Sequence, residues 1–305
     1  MSIVSVKEIR KSYNKGRTQA LKGVSFEVEP GEIFGLIGPD GAGKTTLFRI
    51  LTTLILADTG SASVDGYDVV KEYKDIRRHI GYMPGRFALY QDMTVEENLS
   101  FFATVFNTTI EENYHLIEDI YEQIEPFKKR RAGKLSGGMK QKLALSCALI
   151  HAPHVLFLDE PTTGVDPVSR KEFWGMLQKL KRDYNLCIVV STPYMDEAIQ
   201  CDRIALMQEG TFLSIDTPQN IIADYSETLW AVKSDKMHRL LTDLRLTPGV
   251  KSAFAFGETH HATIDTRQLS IDGLTAILQE SGHKSIDISI VEPSIEDCFM
   301  NLQKL

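Results

Sequence analysis

Residues Gly38–Thr45 read GPDGAGKT, and this octet decides the fold of the N-terminal part of the chain. It fits the phosphate-binding pattern of two glycines separated by four residues and followed by Lys and by Ser or Thr. The glycines permit turn conformations in which backbone N–H groups point at phosphate oxygens. Lys44 supplies a positive charge and Thr45 a hydroxyl for Mg²⁺. A helix that begins at Lys44 adds the positive end of its dipole.

The flanking sequence favours this interpretation over a chance match. Residues 32–37 form a short apolar run that is typical of a buried strand, and residues 45–51 continue with the apolar spacing of a helix. Strand, glycine loop and helix is the setting that the motif requires. We therefore predict nucleotide binding by the loop and the residue after it. The predicted contacts are Gly38, Pro39, Asp40, Gly41, Ala42, Gly43, Lys44, Thr45 and Thr46.

Residues 155–160 read VLFLDE, which predicts a buried strand with two carboxylates at its C-terminal end. Ligands bind at that end of the strands in open α/β sheets. We expect Asp159 to help hold Mg²⁺, directly or through water, and Glu160 to orient or deprotonate an attacking water. The alternative is a strand that ends in an acidic turn, and the phosphate-binding loop in the same chain weakens it.

Residues 135–141 read LSGGMKQ and place Ser136, Gly137 and Gly138 just ahead of a predicted helix. A serine and two glycines at a helix N-terminus can form a second anion-binding site. The alternative is a glycine loop with a serine cap and no ligand, which the other two motifs make weaker.

Composition limits the class of protein. The chain has 305 residues, of which 43% are hydrophobic and 25% charged, and its net charge is −7. This is typical of a globular protein with room for two domains. We find no basic run interleaved with aromatic residues, and therefore predict no nucleic-acid partner. The sequence shows neither a signal-peptide pattern nor an apolar stretch of membrane-spanning length, so we expect any membrane role to need a separate chain.

Cysteine and histidine usage gives little sign of a metal site. The four cysteines, Cys147, Cys187, Cys201 and Cys298, are scattered and predict reduced thiols that fill the core. The histidines occur as two pairs, His151 with His154 and His260 with His261. Neither pair has further ligands nearby in sequence, which favours surface or capping roles over metal binding.

The periodicity of apolar residues predicts alternating strands and helices, and hence an α/β fold with a mainly parallel sheet. The predicted elements are strands within 2–7 and 23–28, a turn-rich strand at 60–70, helical sequence at 95–128, a helix at 140–151, a strand at 155–158, a helix at 167–181 and a strand at 186–190. Thr94 followed by Glu97 predicts a capping box.

The pattern changes near residue 225. Strands are predicted at 229–233, within 252–266 as a hairpin that turns at Gly257 and Glu258, and at 286–290, with helices at 235–244 and 274–281. This order suggests a small α+β domain of ferredoxin-like kind.

Taken together, the motifs resemble the nucleotide-binding subunit of an ATP-binding cassette (ABC) transporter. GPDGAGKT resembles Walker A, LSGGMKQ the family signature, VLFLDE Walker B, and residues 163–166 the D-loop. Tyr13 stands where the family places an adenine-stacking aromatic residue. The resemblance covers roughly residues 3–222, and residues 291–299 resemble the C-terminal extension of daunorubicin-resistance-type exporter ATPases.

The resemblance implies a P-loop NTPase cassette with a parallel core sheet, antiparallel N-terminal strands and a helical signature subdomain, followed by the small α+β domain. We expect the nucleotide-binding domain over 1–225 and the extension over 226–305. Two cassettes pack head to tail in this family, so that ATP lies between the Walker A of one chain and the signature of the other. The expected ligands are ATP and Mg²⁺, and the expected partners are an integral-membrane permease and a second cassette, with a heterodimer favoured over a homodimer. The expected location is cytoplasmic, on the inner face of the cell membrane.

The implied site residues fall into three groups. Glu160 and Lys44 are catalytic, and Thr45 and Asp159 hold the metal. The nucleotide contacts are those of the loop together with Tyr13 and with Ser136, Gly137 and Gly138 of the signature.

Two positions depart from the family pattern. Gly85 stands where the family has a glutamine that contacts Mg²⁺ and water, and Gln91 lies too far along the chain to replace it. Pro193 stands where the family has a histidine that bonds the γ-phosphate, and proline has neither a side-chain donor nor a backbone N–H. These changes predict an impaired site in an asymmetric pair of cassettes. Two alternatives stay open: a nucleotide-sensing subunit that never hydrolyses ATP, and a cytosolic ABC ATPase without a transporter.

Overall fold

The computed structural model describes residues 2–303, and the chain divides into two compact units between Pro218 and Gln219. Among the described residues, no helix combines the length and the apolar character needed to cross a membrane.

The first unit is built from ten strands and six α-helices within the described part of the chain. The strands are β1 (Val4–Tyr13), β2 (Thr18–Val28), β3 (Ile33–Ile37), β4 (Thr59–Val64), β5 (Tyr67–Asp68), β6 (Ile80–Met83), β7 (Val155–Asp159), β8 (Cys187–Thr192), β9 (Arg203–Gln208) and β10 (Thr211–Asp216). The helices are α1 (Lys44–Leu51), α2 (Tyr73–His79), α3 (Val95–Val105), α4 (Ile110–Tyr121), α5 (Gly137–Leu149) and α6 (Pro167–Tyr184).

A six-stranded sheet in the order β10-β9-β3-β8-β7-β6 forms the centre of this unit. Its strands run parallel except at the β9–β10 pair. Every residue of β3 (IFGLI) and β7 (VLFLD) is buried, as expected for parallel strands that are covered on both faces. The carboxyl ends of β3, β7 and β8 therefore meet at one edge, which is where ligands bind in such sheets.

A second sheet, β2-β1-β4-β5, is antiparallel throughout. Its inner face packs against the helix that follows the glycine loop, through Val6, Leu21 and Val64 on the sheet side and Leu47 and Phe48 on the helix. The predicted α/β cassette with antiparallel N-terminal strands is confirmed.

The helical sequence at 95–128 is interrupted rather than continuous. Thr94 and Glu97 form the predicted capping box, with hydrogen bonds of 3.2 and 2.7 Å. A second capping box, Thr109 with Glu112, starts α4. Between them Asn107 takes a left-handed conformation, φ 55°, which ends the first helix. The prediction of one long helical stretch missed this break.

The second unit contains helices α7 (Pro218–Ala223, which begins at the boundary), α8 (Met237–Leu246), α9 (Ile271–Glu280) and α10 (Ile295–Leu302), and strands β11 (Thr228–Lys233), β12 (Val250–Phe256), β13 (Thr259–Ile264) and β14 (Asp287–Ile290). Its antiparallel sheet has the order β12-β13-β11-β14.

If the four strands of this sheet are numbered 1 to 4 along the chain, their order across the sheet is 2-3-1-4. Along the chain the elements follow the order βαββαβ. Together these are the ferredoxin-like arrangement that the sequence suggested. The hairpin turns at Gly257 and Glu258 as predicted, with Gly257 at φ 56°. The last helix, α10, was not predicted from periodicity. The core of the second unit includes Trp230, Leu240 and Leu274.

The four thiols are buried, and some of the paired histidines are less exposed than a surface role implies. All four cysteines are buried and free, as predicted. Of the paired histidines, His260 is buried, at 7% exposure, and donates to the carbonyl oxygen of Met237, so the surface role is wrong for it. His151 is half-buried and stacks on Phe106 at 3.8 Å between ring centroids.

Candidate nucleotide-binding site

The glycine loop connects β3 to α1 at the carboxyl edge of the central sheet. Gly41 and Gly43 have φ values of 82° and 112°, which residues with a Cβ rarely adopt, and Gly43 is the N-cap of α1. At Gly38 a Cβ would lie 2.1 Å from the carbonyl oxygen of Met207. The spacing of glycines in the motif thus corresponds to positions where the fold excludes other residues.

Lys44 is nearly enclosed, at 3% exposure. Its Nζ donates to the carbonyl oxygens of Gly38 and Pro39, at 2.7 and 3.0 Å, and lies 3.3 Å from Oε1 of Glu160. A buried ammonium needs such oxygen partners. The same donor geometry suits phosphate oxygens, for which these carbonyl and carboxylate oxygens are close chemical substitutes.

Asp159 lies at the end of β7 and is 2% exposed. Its Oδ1 accepts a hydrogen bond of 3.1 Å from the hydroxyl of Thr45 and one of 2.6 Å from the hydroxyl of Ser191. The structure thus brings together the two predicted metal ligands, a carboxylate and a hydroxyl, which are oxygen donors of the kind that Mg²⁺ takes. No sequence motif predicts the role of Ser191, because only the register between β7 and β8 places this residue beside Asp159.

Glu160 follows Asp159 in a left-handed conformation, φ 51°. Its backbone N–H donates to the carbonyl oxygen and to the hydroxyl of Ser191, at 3.0 and 3.1 Å. Such strained backbone in a residue with a Cβ is held by its surroundings and is frequent at functional sites. The turn directs the Glu160 carboxylate to Lys44 rather than along the strand.

A cavity of about 130 Å³ lies over the loop. It is lined by Ala20, Gly41, Gly43, Lys44, Thr45, Thr46 and Glu160. Of the predicted contacts, five line this cavity: Gly41, Gly43, Lys44, Thr45 and Thr46. The others are not part of the lining: Tyr13, Gly38, Pro39, Asp40, Ala42, Ser136, Gly137 and Gly138. Tyr13 is half-buried at the end of β1, and Ser136 lies at the start of α5.

The signature residues form a separate helix end. Ser136 is the N-cap of α5, and its hydroxyl accepts a 3.3 Å hydrogen bond from the N–H of Met139. Gly138 lies against α6, since a Cβ there would be 3.0 Å from the hydroxyl of Ser169.

Asp166 caps α6, and hydrogen bonds from the first turn of that helix lower the pKa of its carboxyl group.

Gly85 lies directly against the carboxylate end of β7. A Cβ built on it would be 3.1 Å from the carbonyl oxygen of Asp159, and Gly85 lines a cleft of about 50 Å³ together with Gln141 and Glu160. Gln91 is exposed, and its carbonyl oxygen instead accepts a hydrogen bond from Gly133. The position next to Asp159 therefore has no side chain.

Pro193 follows β8 immediately after Thr192, whose carbonyl oxygen accepts a 3.2 Å hydrogen bond from the N–H of Gly38. The hydroxyl of Thr192 donates to Glu197 at 2.6 Å. These contacts fix the segment beside the start of the glycine loop, where Pro193 offers no donor.

Tyr82 is the ionisable neighbour of this cluster. Burial and the negative charge of Asp159 raise the pKa of its hydroxyl to about 12, so Tyr82 is neutral at physiological pH. Lys44, Asp159 and Glu160 bring one ammonium and two carboxylates to this edge, next to backbone N–H groups at a helix start. This arrangement can bind a phosphate chain together with a divalent cation.

Comparisons with known proteins agree with this chemistry. Residues 21–163 match the family model described as ABC transporter. The chain is 36% identical over 305 residues to the "Probable multidrug ABC transporter ATP-binding protein YbhF" of Escherichia coli, which covers 99% of this chain and 52% of that protein. It therefore spans about half the length of that relative. It is 33% identical to the "Doxorubicin resistance ATP-binding protein DrrA" of Mycobacterium tuberculosis, covering 97% of this chain and 92% of that protein.

Solved structures show the same fold. The CbiO1 subunit of Clostridium perfringens, part of an ABC transporter complex, superposes with a TM-score of 0.65 at 27% identity, covering 73% of this chain and 91% of that one. A dimeric ATP-binding cassette bound to ADP and Pi gives a TM-score of 0.63 at 26% identity, covering 70% and 98%. The chain belongs to the family of ABC transporter ATP-binding proteins.

Proposed function

We propose that this chain is the ATP-binding subunit of an ABC exporter, and that its own site binds MgATP but hydrolyses it slowly. The observation that carries the proposal is the combination of an assembled Lys44–Asp159–Glu160 cluster with a glycine beside Asp159 and a proline beside the loop. The proposed division is a nucleotide-binding domain over 1–225 and an extension over 226–305.

Each residue of the cluster has a distinct role in this proposal. Lys44 exchanges its carbonyl and carboxylate partners for the terminal phosphates, Thr45 and Asp159 hold Mg²⁺, and Glu160 orients or deprotonates the attacking water. Tyr13 stacks on the adenine. Mg²⁺ fits the donors present, because the facing oxygens of Thr45 and Asp159 are 3.1 Å apart.

The impairment follows from what Gly85 and Pro193 lack. Removal of one preorganised donor to developing charge typically costs roughly 10²–10³ in rate. Two missing groups reduce the rate further, although such losses are not additive. We expect MgATP to bind all the same, because the glycine loop, Lys44 and Thr45 make the proposed contacts with the phosphates and the metal.

A second cassette completes the assembly. Ser136 caps α5 with Gly137 and Gly138 next to it, and the helix start is free to meet an anion supplied by another chain. We propose that this signature completes the site of a partner cassette that has the glutamine and the histidine, in a heterodimer. The other partner is an integral-membrane permease, which this chain would meet on the inner face of the cell membrane. The drug-resistance names of the relatives favour export.

The test is ATP hydrolysis by the purified chain alone and together with its partner cassette and permease. The proposal expects a low rate from the chain alone and a high rate from the complex. Ser136→Arg in this chain should abolish most of the complex's rate, whereas Ser100→Arg, at an exposed position of α3, should leave it unchanged. A high steady rate from the chain alone contradicts the proposal, as does a Ser136→Arg complex that retains its full rate.

Gly85 and Pro193 also favour a second candidate, a subunit that senses nucleotide and never hydrolyses it. Asp159 and Glu160 argue against this candidate, because a pure sensor has no need of both. Radiolabelled ATP separates the two when it is bound to the purified complex in which the partner cassette's catalytic glutamate is replaced by glutamine, and is assayed for ADP over hours. Accumulating ADP that depends on Glu160 of this chain supports slow hydrolysis; complete recovery of ATP supports the sensor.

A further inference from the structure

A second cluster of metal-ligating side chains lies away from the nucleotide site, near the amino end of β7. It consists of Asp65, in the turn between β4 and β5, His79, the last residue of α2, and His154, which immediately precedes β7. One potential ligand atom from each residue lies within 4.8 Å of the others. The nucleotide cluster lies at the opposite, carboxyl end of β7.

The two histidines converge on a single oxygen. Nδ1 of His79 lies 2.7 Å from Oδ2 of Asp65, and Nδ1 of His154 lies 2.8 Å from the same oxygen. The two imidazole rings are 5.0 Å apart between centroids. This convergence brings two nitrogen donors and one carboxylate oxygen to one point, although the three residues are far apart in the sequence.

The backbone holds the three residues in place. Asp65 has a left-handed conformation, φ 53°, and its N–H donates to the carbonyl oxygen of Ile3 at 2.7 Å. The N–H of His154 donates to the carbonyl oxygen of His79 at 2.8 Å. Tyr67 meets the His79 ring edge-on at 5.2 Å. The ligand set is therefore positioned by neighbouring strands and a helix end, not by flexible side chains alone.

We propose that Asp65, His79 and His154 form a binding site for one divalent transition-metal ion of the zinc type. Two imidazoles and one carboxylate suit such an ion, and a fourth position is left for water. Ligand atoms around a tetrahedral zinc are about 3.3 Å apart. Each nitrogen therefore needs to move from the carboxylate oxygen by about 0.5 Å when an ion replaces the two shared hydrogen bonds. The two nitrogens, which lie within 4.8 Å of each other, must also come to about 3.3 Å apart.

Access and charge favour entry of a cation. The side chain of His154 is 59% exposed, whereas that of Asp65 is 20% exposed. The cluster carries one negative charge when both histidines are neutral, the form in which imidazole binds a metal. A bound ion would tie the antiparallel sheet to the central sheet within the first unit. It would stabilise the folded chain because it binds the native arrangement and not the unfolded chain.

The experiment is a titration of the full, tag-free chain with ZnSO₄ at neutral pH, followed by calorimetry, with Co²⁺ absorption as a second readout. The expected result is one ion per chain, a rise in the midpoint of thermal unfolding, and the intense visible bands of tetrahedral Co²⁺. His79→Gln and His154→Gln should each weaken binding by at least about tenfold. The matched control is His238→Gln, an exposed histidine of the second unit.

Circular dichroism and ATP binding verify that each variant is folded. Of the two substitutions, His154→Gln should disturb the fold least, because the side chain of His154 is largely exposed. The proposal is overturned if the wild-type chain shows no saturable binding of Zn²⁺, or if both histidine variants bind it as well as the wild type. The same holds if His238→Gln weakens binding as much as His154→Gln, because the ion would then bind elsewhere. None of these results depends on ATP hydrolysis.

Discussion

The hydroxyl of Ser191 donates a 2.6 Å hydrogen bond to Oδ1 of Asp159 and accepts one of 3.1 Å from the backbone N–H of Glu160. One side chain on β8 thus orients the carboxylate that we propose binds the metal and the turn that carries the carboxylate that we propose is catalytic. Ser191 does not reach the nucleotide itself in our proposal, so it acts through these two neighbours.

Ser191→Ala should therefore weaken the dependence on Mg²⁺ more than nucleotide binding. Loss of a hydrogen-bond partner of a metal ligand typically reduces metal affinity about 10–100-fold. We expect the Mg²⁺ concentration for half-maximal ATP binding to rise by about that factor, measured with a fluorescent ATP analogue. Binding of the analogue without Mg²⁺ should change little. Ser191→Thr, which retains the hydroxyl, is the control, and equal effects of both variants would contradict the explanation.

Lys44→Ala should remove most nucleotide affinity. Its ammonium is enclosed and paired with Glu160 at 3.3 Å, so the substitution removes the phosphate partner and leaves that carboxylate without its cation. Charge-assisted hydrogen bonds of this kind contribute about 1.5–3 kcal/mol, which predicts roughly 10–100-fold weaker ATP binding. Equilibrium dialysis with labelled ATP measures the affinity of the wild type and of the variant. Lys74→Ala, at an exposed position of α2, should bind ATP normally; unchanged binding by Lys44→Ala would exclude the assigned role.

Restoring the family residues at the two divergent positions should raise hydrolysis. The Cβ of a residue at Gly85 would be 3.1 Å from the Asp159 carbonyl oxygen, so Gly85→Gln needs a shift of a few tenths of an ångström. With Pro193→His as the second change, we expect at least about a tenfold increase in the rate of this chain's own site, since each donor is worth roughly 10²–10³ when fully preorganised.

The rate is measured in the complex with the partner cassette's own catalytic glutamate replaced by glutamine, so that only this chain's site contributes. Gly175→Gln, at an exposed position of α6 with open space around it, is the matched control. A double variant that folds and binds ATP but hydrolyses no faster would mean that the two positions do not limit the reaction.

His151 should make the stability of the chain depend on pH between about 4 and 6.5. Burial lowers the pKa of His151 to about 4, with a smaller opposing effect of its hydrogen bond to Ile80. In the unfolded chain the histidine has a pKa near 6.5, so the unfolded state binds more protons across this window. The free energy of unfolding therefore falls as the pH falls, by on the order of 2 kcal/mol.

Urea unfolding at pH 7 and pH 4.5 measures this contribution. His151→Phe retains an aromatic ring against Phe106 but cannot take up a proton, so its stability should fall less between the two pH values than that of the wild type. His238→Phe should retain the wild-type difference. Equal pH dependence of His151→Phe and the wild type would contradict the assignment.

The sequence by itself determined the glycine loop, the capping box of Thr94 with Glu97, the buried strand that ends in Asp159, and the βαββαβ order of the second unit. Each of these is a local pattern: a glycine where φ is positive, a hydroxyl before a helix, or a periodicity of apolar residues. Such patterns specify backbone conformation within a few residues. They also show which residue types are missing at Gly85 and Pro193.

Only the tertiary structure decided which distant residues meet. It brings Ser191 to Asp159 through strand register, turns Glu160 back to Lys44, and gathers Asp65, His79 and His154 around one oxygen. It also buries His260 and half-buries His151 against Phe106, where the sequence favoured surface or capping roles. The physical reason is that these contacts depend on the pairing of strands and the packing of helices across long stretches of chain. No local pattern encodes that geometry.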